Sequence, residues 1–294
     1  MRPEVYAIIA VFALFGVLEL FRTKLFAKPE QTVDDAMVEI IGSAALLLFT
    51  QPMIIVSAQF LMGMAAPQWA GVLAGIPVIA AIGLFLIFDD MTQYWWHRLS
   101  HQIPFLYNLH RAHHNAKYMS IRLVYRNNIF YYSIMPGIWF SGILIYLGLG
   151  WVYVGYIIVK MTVIIGAHSD VAWDAPLYKI KWLSPVMWLV ERTISTPATH
   201  HAHHGRHLED GATNYKGNYG NLLFFWDVLF GTAKITRRYP DSYGVENLAP
   251  ATLGQQLAWP LFPENKDGGY GVKELAAKEA AARGNIQGDK SLAG

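Results

Sequence analysis

The 294-residue chain has no cysteine. Disulfides, thiolate metal sites and cysteine nucleophiles are therefore excluded, and any metal must take nitrogen or oxygen ligands. Charge is also scarce. Asp, Glu, Lys and Arg make up 15% of the residues, where a soluble domain usually carries about a quarter. The formal net charge is only +2, which gives no footprint for nucleic acid. No internal repeat is visible. What fills the chain instead is apolar: hydrophobic residues are 54% and the mean hydropathy is +0.26. These values point to a membrane protein.

A spanning helix needs about 20 mostly apolar residues. Five stretches approach that length, at roughly 4–21, 38–62, 71–89, 129–148 and 150–167. The first contains Glu19 and lacks a small-residue cleavage site, so it reads as a retained membrane segment rather than a signal peptide. Its rival reading is an interfacial anchor. The Gly/Ala/Pro-rich segment 63–71 and the "GLG" at 148–150 predict two helical hairpins.

Lysine and arginine favour cytoplasmic loops. Arg22, Lys24 and Lys28 follow the first stretch, and Arg98, Arg111, Lys117, Arg122 and Arg126 follow the third. The hairpin tips have none; Arg2 and Lys160 are the exceptions. With five spans the amino terminus is expected outside and the carboxyl terminus inside. Beyond the fifth stretch, "SPVMWLVERTI" (184–194) and "NLLFFWDVLFGT" (221–232) are expected to lie along the membrane surface or to cap a cytoplasmic helical lobe. The fold class expected is all-α: an integral membrane bundle of four to five spanning helices with that lobe. Residues 1–261 form the membrane domain, and 262–294 an exposed, partly disordered tail with a short helix at 273–285.

Against this background the eleven histidines are conspicuous for their grouping. "HRLSH" holds His97 and His101, "HRAHH" holds His110, His113 and His114, and "THHAHHGRH" holds His200, His201, His203, His204 and His207. Only His168 stands apart. Residues three and four apart share one face of a helix. Each knot, if helical, thus aims two or three imidazoles one way, and the predicted topology puts all knots on the cytoplasmic side. With His168 there are nine candidate ligands. Nine exceed what one ion takes and suit two metals with four or five nitrogens each. Imidazole alone does not choose between Zn, Cu, Fe and Ni. A site at the end of a lipid-embedded bundle suggests a lipid substrate. Attack on its C–H bonds needs redox iron or copper, and iron is favoured.

"DDMTQYWWHRLSH", "LHRAHH" and "TPATHHAHHGRH" followed by "NYGNLLFFWDVLFGT" resemble the fatty acid hydroxylase and sterol desaturase superfamily over residues 83–232, about half the chain. That family's pattern of HxxxH, HxxHH and HxxHH boxes with one further histidine falls here on His97 and His101; on His110, His113 and His114; on His168; and on His200, His203 and His204. The third box and the segment after it look closest to the branch that includes alkylglycerol monooxygenase and bacterial sterol-desaturase-like proteins. The resemblance implies a membrane non-haem oxygenase with two iron ions, which zinc can replace by mismetallation. It implies hydroxylation or desaturation of a lipid with O2. No fused cytochrome-type haem motif is seen, so electrons are expected from a separate donor, a reductase with a ferredoxin or cytochrome-type carrier. No dilysine or KDEL-type signal is seen at the carboxyl end, which favours a bacterial cytoplasmic membrane over endoplasmic reticulum.

Ligand histidines usually donate their second N–H to a carboxylate or carbonyl. Asp90, Asp170, Asp227 and the extra His201 are the candidates for that supporting role; each is otherwise an ordinary cap or surface residue. His207 is assigned no metal role. Tyr94, Trp95 and Trp96 would line a lipid tunnel or form an interfacial belt. Arg98 and Arg111 would hold an anionic head group or merely set topology. No acid or base beyond the metal ligands is called for. Two other readings stay open: a membrane metal-binding or transport protein, and a two-zinc lipid hydrolase.

Overall fold

The computed structural model describes residues 3–28, 30–246, 248 and 251–262. The expected tail helix at 273–285 lies outside the described residues. Among the described residues the chain is helical, with one isolated antiparallel bridge between Gly205 and Tyr243 and no strand.

Helix α1 (Pro3–Arg22) is followed by α2 (Val33–Ala44), which passes through a π turn, Ala45–Thr50, into α3 (Gln51–Ala65). Thr32 opens α2 with a reciprocal cap, its hydroxyl accepting from Asp35 N–H while the Asp35 carboxylate accepts from Thr32 N–H. Helix α4 (Val78–Phe85) runs through a second π turn, Leu86–Met91, into α5 (Thr92–Ser100), and α6 (Pro104–His114) follows. Then come α7 (Pro136–Leu144), a third π turn (Ile145–Leu149) and α8 (Gly150–His168). The remaining helices are short: α9 (Ala175–Tyr178), α10 (Ser184–Thr193), α11 (Pro197–His204), α12 (Phe225–Leu229) and α13 (Leu253–Ala258).

Four stretches are long and apolar enough to cross a membrane: Glu4–Arg22, Val33–Ala65, Val78–Ser100 and Pro136–His168. The chain is thus an integral membrane protein. Their outer faces are oily, with Leu14, Phe21, Phe49, Phe60 and Ile79 among the exposed side chains. In water such a surface would be costly; in lipid it is the natural one.

The third stretch begins later than the sequence suggested, because residues 70–76 form turns beyond the short 3₁₀ turn Pro67–Trp69. It also runs further, carrying His97 within its own last turns. The fourth and fifth expected spans form one hairpin. A straight helix would put Lys160 about 35 Å from Gly137. Yet Lys160 Nζ lies 2.6 Å from Asp89 Oδ2, and a Cβ on Gly137 would meet Asp89 Oδ1 at 2.6 Å. The chain therefore doubles back at Gly148, whose φ of +106° is open to glycine at low cost. Leu73 N–H donates to Leu147 O at 2.8 Å, closing both hairpin tips together. The ascending arm, nine residues of α7 and a five-residue π turn, rises only about 21 Å and is too short to span a hydrocarbon core of ~30 Å by itself. Five full spans is thus an overcount.

Helix α1 packs alongside α8, with Ile8, Phe12 and Phe15 against Met161, Ile164 and Ile165. Glu19, buried near the end of α1, accepts from Ser120 Oγ (2.7 Å), Ile121 N–H (3.0 Å), Ser169 Oγ (2.9 Å) and Asp170 N–H (3.0 Å). A carboxylate in an apolar run is expensive unless its lone pairs are met. These four donors meet them and pin α1, the 120–121 turn and the end of α8 at one level. The histidines gather at that level.

Candidate metal centre

Each histidine knot is placed by local chemistry. His97 lies in α5 and His101 caps its end. Pro104 opens α6, where a missing N–H costs nothing, and His110, His113 and His114 occupy its last turns. His168 is the final residue of α8. Thr196 caps α11, Pro197 sits in its first turn, and His200, His203 and His204 follow on its inner face. The imidazoles converge through Nε2. His97 and His203 meet at 3.0 Å, His101 and His114 at 3.1 Å, and His110 and His114 at 3.1 Å. In a second group His168 meets His200 at 2.9 Å and His113 at 3.4 Å, and His200 meets His204 at 3.2 Å. The groups are His97, His101, His110, His114 and His203, and His113, His168, His200 and His204. Within each, one nitrogen per ring lies within 4.8 Å of all the others.

Hydrogen bonding among the rings does not explain this. The Nδ1 atoms of His97, His203, His113 and His168 face the backbone carbonyls of Tyr219 (2.7 Å), Gly217 (2.7 Å), Leu123 (3.0 Å) and Ile164 (2.8 Å). A carbonyl only accepts, so each Nδ1 carries the proton and each Nε2 of the neutral ring is a bare lone pair. His97 with His203, and His113 with His168, then point lone pair at lone pair. Extra protons are disfavoured: burial first, then the neighbouring imidazoles, hold His113 and His203 well below the usual histidine range, and His101, His110, His114, His200 and His204 likewise. A cation shared between the nitrogens removes the conflict. Around one ion with 2.0–2.1 Å metal–nitrogen bonds, adjacent ligand nitrogens stand roughly 2.9–3.4 Å apart. The observed contacts fall in that span, so the residues fit two metal ions.

The supporting contacts differ from those expected. Besides the four carbonyls, the Asn127 side chain serves: His110 Nδ1 lies 2.8 Å from its Oδ1, and its Nδ2 donates to Tyr132 Oη at 2.9 Å. None of the three aspartates is placed against a ligand histidine. Asp90 Oδ2 accepts from Trp226 Nε1 (2.8 Å) and Leu223 N–H (3.1 Å), tying the 221–226 segment to the third span. Asp170 pairs with Lys28 at 2.5 Å. Asp227 acts one step further out. It accepts from the N–H groups of Tyr219 (2.8 Å) and Gly220 (2.6 Å) and from Thr232 Oγ1 (2.6 Å), and so sets the Tyr219 carbonyl that His97 uses. Burial pushes its pKa up. His201 faces away from both groups, between Ser169 O (3.0 Å) and Tyr243 Oη (2.9 Å). Burial pushes it down to about 4. His207 is outside the cluster, 3.8 Å from Glu246.

A cavity of about 680 Å³ opens from His97, His110, His113 and His168 and runs between α1, α3 and α8. Its walls include Val5, Ile8, Leu47, Val56 and Met161. Tyr94, Trp95, Trp96, Arg98 and Arg111 do not line it; the aromatic lining comes from Phe12, Tyr125, Tyr131, Tyr132 and Tyr153 instead. Arg111 is 1% exposed, sealed within the helix packing. The Asp89–Lys160 pair in the cavity wall was missed from sequence. Its signal was Lys160 itself, since a lone lysine inside a span needs a counter-charge.

Residues 82–232 match the family described as fatty acid hydroxylase. Among curated proteins, alkylglycerol monooxygenase of Danio rerio is 27% identical over 143 residues, and that of Homo sapiens 25% over 143. That of Xenopus tropicalis is 26% identical over 151 residues. Each match covers 49% of this chain but only 28% of the relative. No solved structure matches significantly. The family match spans just over half of the chain and contains all nine converging histidines, and on that ground the chain belongs to the fatty acid hydroxylase family.

Proposed function

We propose that this protein is a membrane-bound non-haem di-iron oxygenase acting on lipid C–H bonds. One observation carries the reading: two groups of imidazoles, five and four, sit at one end of an apolar cavity that runs among the spanning helices. His97, His101, His110, His114 and His203 would hold one iron, and His113, His168, His200 and His204 the other. Bound iron would supply the reductive activation of dioxygen. In hydroxylation, R–H, O2, two electrons and two protons give R–OH and water. In desaturation, R–CH2–CH2–R′, O2, two electrons and two protons give the alkene and two waters. The electrons come from a separate protein donor.

The chain's own contributions are spatial. The carbonyls of Tyr219, Gly217, Leu123 and Ile164 hold four rings in the tautomer that leaves Nε2 free. The apolar walls seat a lipid chain and keep bulk water from it. No acid or base beyond the histidines is needed at the C–H bond. The relatives' name makes alkylglycerols one substrate to try. The charge pattern favours a cytoplasmic site, reached by donors in that compartment. A transporter would place its ligands near the membrane midplane; here they gather at one end of the bundle, by the Glu19 clamp.

The test is metal content of detergent-purified protein, with His110→Ala and His203→Ala beside it, followed by oxygen uptake with lipids after iron reconstitution. About two irons per chain, lowered in both variants, with lipid-dependent oxygen uptake, is the expected result. Lipid hydrolysis without oxygen by a zinc form would replace this reading with the hydrolase.

A further inference from the structure

The cavity is closed on most sides and open on one. Among its described lining residues, those that are also exposed are Val5 and Ile9 on α1, and Leu47, Leu48, Pro52 and Val56 on α3 and the π turn before it. Every other described lining residue is buried or half-buried. A side chain that walls a cavity and is also 68%, 64% or 53% exposed, as Leu48, Val56 and Ile9 are, stands at a rim. The opening is therefore the cleft between α1 and α3.

Helical rise gives the depth of that rim. Glu19 lies at the histidine level, accepting from Ser169 Oγ beside His168. Ile9 and Val5 precede Glu19 by ten and fourteen residues, about 15 and 21 Å along α1. Across the cleft, Gly42 lies at the same level: a Cβ there would meet the backbone oxygen of Asn127, the support of His110, at 3.2 Å. Leu48 and Val56 follow Gly42 by six and fourteen residues, about 9 and 21 Å. The two edges thus run side by side over one depth, inside the ~30 Å hydrocarbon core that Glu4–Arg22 is long enough to cross.

The exposed residues of both edges are aliphatic. Glu4, the charged lining residue on α1, is buried. The amides of Gln51 and Gln59, in the α3 lining, donate to Tyr153 Oη (3.3 Å) and Ile55 O (3.2 Å). Outward, the rim continues into the oily faces of the same helices, where Leu14 and Phe60 are exposed. At that depth such a rim meets acyl chains and no water.

We propose that the α1/α3 cleft is a lateral portal, through which the hydrocarbon chain of a bilayer lipid passes from the membrane interior to the histidines. This deepens the lipid-oxygenase reading and rests on its lipid substrate. The chain reaches the metal centre without leaving the bilayer. Ile9, Leu48 and Val56 govern how fast it enters rather than how tightly it is held.

The absence of cysteine supplies the tool. Leu48→Cys or Val56→Cys puts a single thiol on the rim. A benzyl methanethiosulfonate adduct there is a plug that reductant removes from the same folded sample. Ile79→Cys, on α4 and outside the cavity lining, carries the same adduct as a control. Full-length protein loaded with zinc, which is redox-inert, is placed in phosphatidylcholine nanodiscs. The probe is hexadecanol with a mid-chain diazirine, photolysed at successive times after addition. Mass spectrometry compares labelling of the buried lining residues Ile138, Tyr153 and Met161 with that of the outward Phe60. Either rim plug is expected to slow interior labelling about tenfold, a barrier higher by about 1.4 kcal/mol. The plateau and the Phe60 signal stay as they were, and reductant restores the rate. Interior labelling at the parent's rate with the plugs in place, or equal slowing by the control at 79, overturns the portal and leaves the oxygenase reading standing, since a chain still enters. A lower plateau reached at an unchanged rate makes the rim a binding subsite and also overturns the portal. An interior that stays unlabelled in the parent protein removes both.

Discussion

Asn127→Leu tests the tautomer argument at its most exposed joint. His110 is the ligand whose Nδ1 faces a side chain, Asn127 Oδ1 at 2.8 Å, rather than a backbone carbonyl. Leucine keeps the bulk and removes the acceptor. The buried Nδ1–H is then unsatisfied, at a cost of about 1–3 kcal/mol. The ring can escape by moving its proton to Nε2, which would donate to His114 Nε2, 3.1 Å away in the unaltered protein. That move relieves the fold and destroys a ligand. The metal held by the five-histidine group should therefore weaken by the 10–100-fold typical of lost outer-sphere partners, about 1.4–2.7 kcal/mol. The four-histidine group shares no ring with it and should hold its ion. Stepwise metal release into a chelator of graded strength reads both sites. The expected trace has one early-released equivalent and one unchanged. Two equivalents lost together, or neither lost early, would refute the reasoning that the amide fixes the tautomer of one site.

Further expectations follow from the buried charges. Lys160→Met leaves Asp89 unpaired within the bundle and should destabilise by about 3–5 kcal/mol, whereas Lys160→Met with Asp89→Asn should recover most of the loss; thermal melts in detergent compare the two. Glu19→Ala deprives four donors on two segments, 120–121 and 169–170, of their acceptor and should cost about 2–4 kcal/mol, with looser metal retention at His168; a variant melting like the parent would contradict the clamp. His201, pushed down to about 4 by burial, gives a signed pH dependence. Its folded pKa is below the unfolded ~6.5, so below pH 6.5 the unfolded chain takes a proton that the fold refuses. The stability of metal-free protein should therefore be full above about pH 6.5 and fall by about 3 kcal/mol toward pH 4 on account of this ring alone. His201→Asn should flatten that slope, and an unchanged slope would show that the ring is not held neutral.

The spacing of His97, His101, His110, His113, His114, His200, His203 and His204 was readable because a ligand set drawn from helices must obey helical periodicity. Apolar length and the glycines at 148 and 150 likewise announced a bundle with a turn there. Two things misled. Length counting started the third span too early, at 71, and made a full span of 129–148, because turn residues in oily surroundings are as apolar as helical ones. The carboxylates Asp90, Asp170 and Asp227 looked like partners for histidines, but sequence nearness says nothing about which backbone groups will be free.

Chain order and residue type thus determined the helical class, the membrane setting and the nine nitrogens, since each follows from local periodicity and composition. Only the tertiary structure decided how the nine divide into five and four. It alone chose the carbonyls of Gly217, Tyr219, Leu123 and Ile164 and the Asn127 side chain over the aspartates as their supports, and paired Lys160 with Asp89. Those outcomes depend on contacts between segments up to about a hundred residues apart, such as His97 with His203. No local pattern encodes such contacts, because they form only when packing brings the helix ends to one level.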